Sequence, residues 1–533
     1  MRSIVRRTCR EAARTHALAG KAGTKKAGTK RESRLVRIGS RGALVLSALA
    51  ILAATRHETP DARWWAPGED RVFPRQLDYP NAHGVLRVLH DGEPVRTADN
   101  AFFMPLGPNG RACVSCHQPA DGMSLSVESI RDRWQATEGK DPIFAAVDGS
   151  DCPTLPQGER ASHSLLLDHG LFRIERPWPP HDWSGKGVKP DFTIEVVRDP
   201  TGCNSGNRYG PNAKQPNISV YRRPRPVANL KYIEAIGFAY DPKAGLPVPV
   251  DPETGKPVAG NLMADGRVPT LTAQMNDAAR AHLELSKQMT PAQKQQVLTF
   301  IRSIYTAQQA GPQGGALDAD GAEGGPATLR DLKPGQLGST GRAVWSEFDA
   351  WGKLTAKQKA ALSPRELAFR ESVARGAAIF RDRNFLITDS QGINAPVGFG
   401  NPVRYSCRFC HNMSQIGIDV APGQVDLGTT NAPFASPQPW LPLFRVTCKG
   451  RPHPFYGREI LTHDPGYALT TGKCADVGRI TLQSNRALAA RAPYFSNGSA
   501  KDLRGIVDYY DRRYSIRYSE QEKQDLVNLM SAL

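Results

Sequence analysis

Two copies of one five-residue pattern, Cys113-Val114-Ser115-Cys116-His117 and Cys407-Arg408-Phe409-Cys410-His411, carry the chemistry of this 533-residue chain. C-x-x-C-H is the attachment signature of c-type haem. Its two thiols add to the vinyl groups along one edge of the porphyrin, and the adjacent histidine binds iron as proximal ligand. The cysteine pairs alone would equally read as a thioredoxin-like redox couple or half of a zinc site; the adjoining histidine argues against both. Two motifs predict two covalently bound haems, held by Cys113, Cys116, His117 and by Cys407, Cys410, His411.

The elements that must position these motifs are signalled mainly as helices. Thr290-Pro291-Ala292-Gln293 is a capping box with proline at the first helical position, followed by Val297, Phe300, Ile301 and Ile304 at helical spacing. Ser363-Pro364-Arg365-Glu366 opens a second helix through Leu367, Val373, Ala377 and Phe380, and Ser519-Glu520-Gln521-Glu522 opens a last one with Leu526, Leu529, Met530 and Leu533. Between residues 141 and 225 the pattern changes, and Phe192 to Val197 alternates as a strand amid many prolines and glycines. The expected fold is therefore mainly α: two cytochrome c-like haem domains with long loops and a small irregular or β insert in the first. The expected boundaries are 58–310 and 341–533, joined by a glycine-rich connection at 311–340.

A net charge of +17 suggests a nucleic-acid binder until it is divided along the chain. Residues 1–57 hold 14 lysines and arginines against 2 acids, so most of the excess belongs to the leader and no nucleic acid is expected as a partner. That leader continues into an apolar run of twelve residues, Ala43 to Ala54, short for a membrane span and suited to an export signal or an N-terminal anchor. The expected location is the periplasm, with membrane attachment only if the leader is retained. Apart from Cys9 and the motif thiols, four cysteines remain, and pairing within each half predicts Cys152–Cys203 and Cys448–Cys474 disulfides.

Two further segments carry a family resemblance. Ala492-Pro493-Tyr494-Phe495-Ser496-Asn497-Gly498-Ser499 and Asp265-Gly266-Arg267, with Leu271 and Gln274 after it, resemble motifs of the bacterial di-haem cytochrome c peroxidases and their MauG-like relatives, over roughly residues 100–533. The resemblance implies that Gln274 and Glu284 form the distal pocket of the first haem, with Glu284 as acid and base on peroxide. A carboxylate beside an open iron can move the proton that cleavage of the O–O bond requires. It also implies Tyr510 as sixth ligand of the second haem, where an anionic phenolate would favour ferric and higher states, and a calcium ion between the domains. Three departures stand against it. Ala264 replaces the tryptophan between the haems, Ser496-Asn497 replaces a histidine and an aspartate, and the histidine that caps the first haem is missing, although His282 lies in the matching segment.

The expected activity is that of a peroxidase-like oxidoreductase. Hydrogen peroxide would react at the His117 haem, with electrons arriving through the His411 haem from a small periplasmic donor such as a cytochrome c or a cupredoxin. Two alternatives share the motifs: a non-catalytic electron-transfer protein with both irons saturated, and a di-haem oxygenase similar to the rubber-cleaving enzymes.

Overall fold

The strands of this protein are short, and most pair with partners remote in sequence. The computed structural model describes residues 63–533 except 183, 236–261, 314, 336–338, 396–399, 413–414 and 419–423; the expected leader lies outside them. Helix accounts for 32% and strand for 18%, so the expectation of a mainly α fold is corrected. The strands run from two to seven residues and fall into six small sheets. Segments this short leave little periodicity to read, because their pairing is fixed by packing across long sequence separations.

One three-stranded antiparallel sheet joins Gln76–Asn81 and Gly84–His90 to Ile304–Ala310, more than two hundred residues on. It packs beside an aromatic nucleus in which Phe300 lies 4.8 Å from Phe102 and 5.1 Å from Phe73, ring centre to ring centre. A second sheet takes Phe192–Arg198 from the expected insert and pairs it with Leu443–Cys448, which pairs in turn with Glu459–Thr462. The insert is thus stitched to the second half of the chain. A two-stranded ribbon, Phe172–Pro177 with Asn217–Arg222, leads into an arginine-rich segment without regular structure.

The three signalled helices form as Pro291–Arg302, Pro364–Asp382 and Glu520–Ser531, each with its N-cap hydroxyl accepting from the backbone N–H three residues on. Within the expected glycine-rich connection, Leu317 and Ala322 are buried, and a short helix follows at Pro326–Asp331. Residues 58–533 cluster as one compact unit. Both disulfides form, Cys152–Cys203 and Cys448–Cys474, with Cα separations of 5.4 and 5.6 Å.

The Pro364–Asp382 and Glu520–Ser531 helices approach closely at Gly376, where an added Cβ would sit 2.2 Å from the Asp525 carbonyl oxygen. Alanine is the better helix former by about 1 kcal/mol, yet here it must push two backbones apart. Gly376→Ala is expected to destabilise the fold by about 1–3 kcal/mol, read as a lower midpoint in urea unfolding.

Candidate functional site

Both motifs fold into the same local structure. Cys113–Ser115 and Cys407–Phe409 each form a single 3-10 turn, closed by the N–H of Cys116 to the Cys113 carbonyl and of Cys410 to the Cys407 carbonyl. In a 3-10 turn the side chains at i and i+3 eclipse, so both thiols of a pair emerge on one side. None of the four is in a disulfide, while the other cysteines of the described chain pair off. Burial pushes the Cys113 and Cys116 thiols up to about 12 and Cys407 up to about 11.

The motif histidines are pinned in matching ways. His117 Nδ1 lies 3.1 Å from the carbonyl oxygen of Met123, and His411 Nδ1 lies 2.6 Å from that of Gly417, in both cases six residues on. A carbonyl only accepts, so Nδ1 carries the proton and Nε2 keeps its lone pair for a metal. Both acceptor residues have left-handed backbone, φ +61° at Met123 and +65° at Gly417. At Gly417 a side chain would also meet the Trp345 ring, 2.6 Å from the Cβ position. Burial lowers both imidazoles, His117 to about 4, which keeps the neutral, ligating form.

Each motif lines its own cavity. Cys407, Cys410 and His411 border about 1430 Å³ of empty space that opens to solvent, walled by Phe380, Val425, Leu427, Leu488 and Ile506 among others. Cys116 and His117 border a second, of about 940 Å³, with Phe172, Ile174, Leu230, Leu262 and Leu271. Two thiols on one side of a turn, a neutral imidazole and an apolar cavity beside them make a donor set that fits a covalently attached haem at both places. Among the described residues no group of three or more His, Cys, Asp or Glu is placed to cage an ion. The calcium ion implied by the resemblance therefore has no side-chain cage there.

Of the residues proposed for the first distal pocket, Gln274 lines the His117 cavity and Glu284 does not. Leu271, Gln274, Ala278 and His282 form one face of the Leu271–His282 helix, and this face walls the cavity. Glu284 comes after the helix has ended. Its left-handed backbone (φ +56°) turns the chain outward, and its exposed carboxylate accepts from Asn109 Nδ2 at 3.0 Å. His282 takes the inner place. Its Nδ1 meets the Asp148 carboxylate, which also pairs with the buried guanidinium of Arg111. Burial opposes ionisation of Asp148, but Arg111 and His282 hold its carboxyl below the ordinary range.

Four tyrosines, Tyr494, Tyr510, Tyr514 and Tyr518, line the His411 cavity. Tyr494 donates to the Leu488 carbonyl at 2.7 Å, Tyr514 meets Ser390 Oγ at 2.8 Å, and Tyr518 faces Cys407 Sγ at 3.9 Å. The Tyr510 hydroxyl makes no such bond among the described residues, and burial pushes it well above the usual phenol range. Between the cavities stand Arg223, which lines both, with Arg225 and Ala264 on the first side and Thr481 on the second. The wall has no aromatic side chain in the place of Ala264. His282 lay in the segment that the resemblance singled out as able to approach the first iron, whereas the arginines of this wall were left unassigned; the run Arg222-Arg223-Pro224-Arg225 was the available signal.

No protein-family model and no curated protein matches this chain. Solved structures similar to it at a low level include the following two. One is hydrazine synthase of Kuenenia stuttgartiensis under xenon, at a TM-score of 0.28 and 15% identity, covering 59% of this chain and 73% of that one. The other is a MauG-like protein associated with microbial copper homeostasis, at a TM-score of 0.26 and 14% identity, covering 59% of this chain and 76% of that one. Overlap this slight carries no argument, and the site rests on its own geometry.

Asp148 is depressed in the folded state, so its contribution to stability is present above the ordinary carboxylate range and is lost as pH falls through its folded value. Asp148→Asn leaves Arg111 buried without a counter-charge, and a loss of about 3–5 kcal/mol at pH 7 is expected. Urea unfolding of parent and variant should show that gap narrowing as the pH is lowered below 4.

Proposed function

We propose that this protein is an exported di-haem c-type oxidoreductase acting on hydrogen peroxide at its first centre. The observation that supports this most directly is the pairing of each C-x-x-C-H turn with its own apolar cavity and a histidine whose Nδ1 is already occupied. Cys113, Cys116 and His117 would hold one haem and Cys407, Cys410 and His411 the other, with Tyr510 as sixth ligand of the second. The bound haems would supply the one-electron chemistry and the affinity for peroxide that side chains lack.

The residues over the first cavity suit proton handling. With His282 Nδ1 engaged by Asp148, Nε2 is the nitrogen left to exchange a proton with a small oxygen ligand. Asp148 fixes the tautomer and stabilises the imidazolium that forms, while Arg111 keeps that carboxylate ionised. Gln274 offers an amide on the same helix face to orient the ligand. In this reading His282 replaces Glu284 as the acid and base. Electrons would reach the second haem from a small periplasmic donor.

A second reading, a pure electron carrier, has its own support. His282 and His117 border the same cavity, so in this reading His282 would be the sixth ligand that closes the first centre.

Absorption and electron paramagnetic resonance spectra of the ferric protein, before and after one equivalent of hydrogen peroxide, separate the two. A high-spin signal that disappears on adding peroxide is expected; two low-spin irons indifferent to peroxide, oxidised or half-reduced, would make the chain a carrier. His282→Ala should lower peroxide turnover by about 10²-fold or more, whereas Glu284→Gln should leave it unchanged. Tyr510→Phe should alter the low-spin spectrum of the second centre, and an unchanged spectrum would remove Tyr510 from the ligand set.

A further inference from the structure

The wall between the two cavities holds positive charge that pairs with no acid among the described residues, Asp121 and Asp265 acting on Arg223 and Arg225 only without contact. Arg223 and Arg491 are only 6% and 5% exposed, and Arg225 is partly buried beside them. Arg223 donates to the carbonyls of His169, Gly170, Leu125 and Arg491. Arg225 donates to the carbonyls of Met263 and Leu482 and to Thr481 Oγ1. Arg491 meets the carbonyls of Arg486 and Ser484 and the side-chain oxygen of Gln483. Every acceptor is neutral, and none of the three forms an ion pair among the described residues.

Other buried arginines of the same region are treated differently. Arg222 contacts Asp464 and Asp265 at 2.6 Å, Arg267 contacts Asp265 at 2.9 Å, and Arg486 contacts Glu347 at 2.6 Å. Burial is the main force driving Arg223 down to about 9 and Arg225 to about 10, and the charge of Arg491 adds to it in both. An uncompensated buried charge costs several kcal/mol, and three that repel one another cost more. Such a cluster requires anions.

The positions say which anions. Arg223 borders both cavities, Arg225 the His117 cavity alone and Arg491 the His411 cavity alone. Arg222 borders the His117 cavity too, but it is already paired with the Asp265 and Asp464 carboxylates, which leaves Arg223 and Arg225 as the arginines of this run without an ion pair among the described residues. Each haem carries propionate carboxylates on the edge remote from its vinyl groups, which is the kind of charge this cluster lacks.

Resting on the di-haem reading above, we propose that Arg223, Arg225 and Arg491 form a shared carboxylate site that binds propionates of both haems, with Arg223 common to the two. A divalent cation between the haems is then unnecessary, since three guanidinium groups already supply the positive charge and would repel it. The arrangement also couples the centres: electron density added to either haem is sensed by the same Arg223 charge.

The test is potentiometric titration of the full-length holoprotein, with each haem followed by its own spectrum. Removing a positive charge disfavours the added electron, so Arg223→Gln should lower both midpoint potentials, and Arg223→Lys should restore them in part. Arg225→Gln should lower only the first and Arg491→Gln only the second; these two carry the test if Arg223→Gln does not fold. Potentials unmoved by all three, in protein shown by pyridine haemochromogen to carry two haems, would overturn the proposal. Absence of haem would instead overturn the reading beneath it. A calcium chelator should leave the potentials unchanged, and a shift on chelation would count against the proposal. A shift with added inorganic phosphate at constant ionic strength would assign the site to a free anion and overturn the propionate assignment.

Discussion

The carboxylate of Asp265 is the interaction on which the geometry between the two cavities depends. Fully buried, it meets Arg222 at 2.6 Å and Arg267 at 2.9 Å, while Arg222 also grips Asp464. Arg222 ends the ribbon from the 141–225 segment, Arg267 precedes the helix that walls the first cavity, and Asp464 follows a strand of the second half. One ion network thus ties together three remote parts of the chain. The surrounding arginines hold Asp265 far below the usual carboxylate range. Burying such a network yields little net stability over an apolar core, but breaking it strands a charge, so it penalises any misalignment of the three parts.

Against that fixed frame, placement within the first cavity follows from helix geometry. The face that carries Leu271, Gln274, Ala278 and His282 is set by the helical repeat, and the Asp148–Arg111 pair behind His282 fixes its ring. Two residues later the helix has ended and the backbone turns out, which is why His282 and Glu284 have such different surroundings. The second cavity is built from helix as well, with Leu503–Tyr514 presenting Ile506, Val507, Tyr510 and Tyr514 to it.

Local signals read well where a single residue type imposes geometry on its neighbours. The capping hydroxyls of Thr290, Ser363 and Ser519 and the alternation from Phe192 to Val197 each found their element, since a cap or a pleat is decided within a few residues. The balance of helix and strand was misread because the Gly84–His90 and Ile304–Ala310 strands acquire their stability from one another and from Phe300, not from their own composition. The resemblance placed both Gln274 and Glu284 over the first haem, yet only Gln274 lines the cavity, since the turn at Glu284 depends on a backbone conformation that no short motif records.

From residue types and spacing alone came the two C-x-x-C-H motifs, the capped helices and the four cysteines left to form disulfides, all legible without the fold. The cavities beside those motifs, the place of His282 rather than Glu284 in the wall of the first and the gathering of Arg223, Arg225 and Arg491 into one wall required the folded chain. Burial and charge compensation are sums over residues hundreds of positions apart, and no local pattern can hold them.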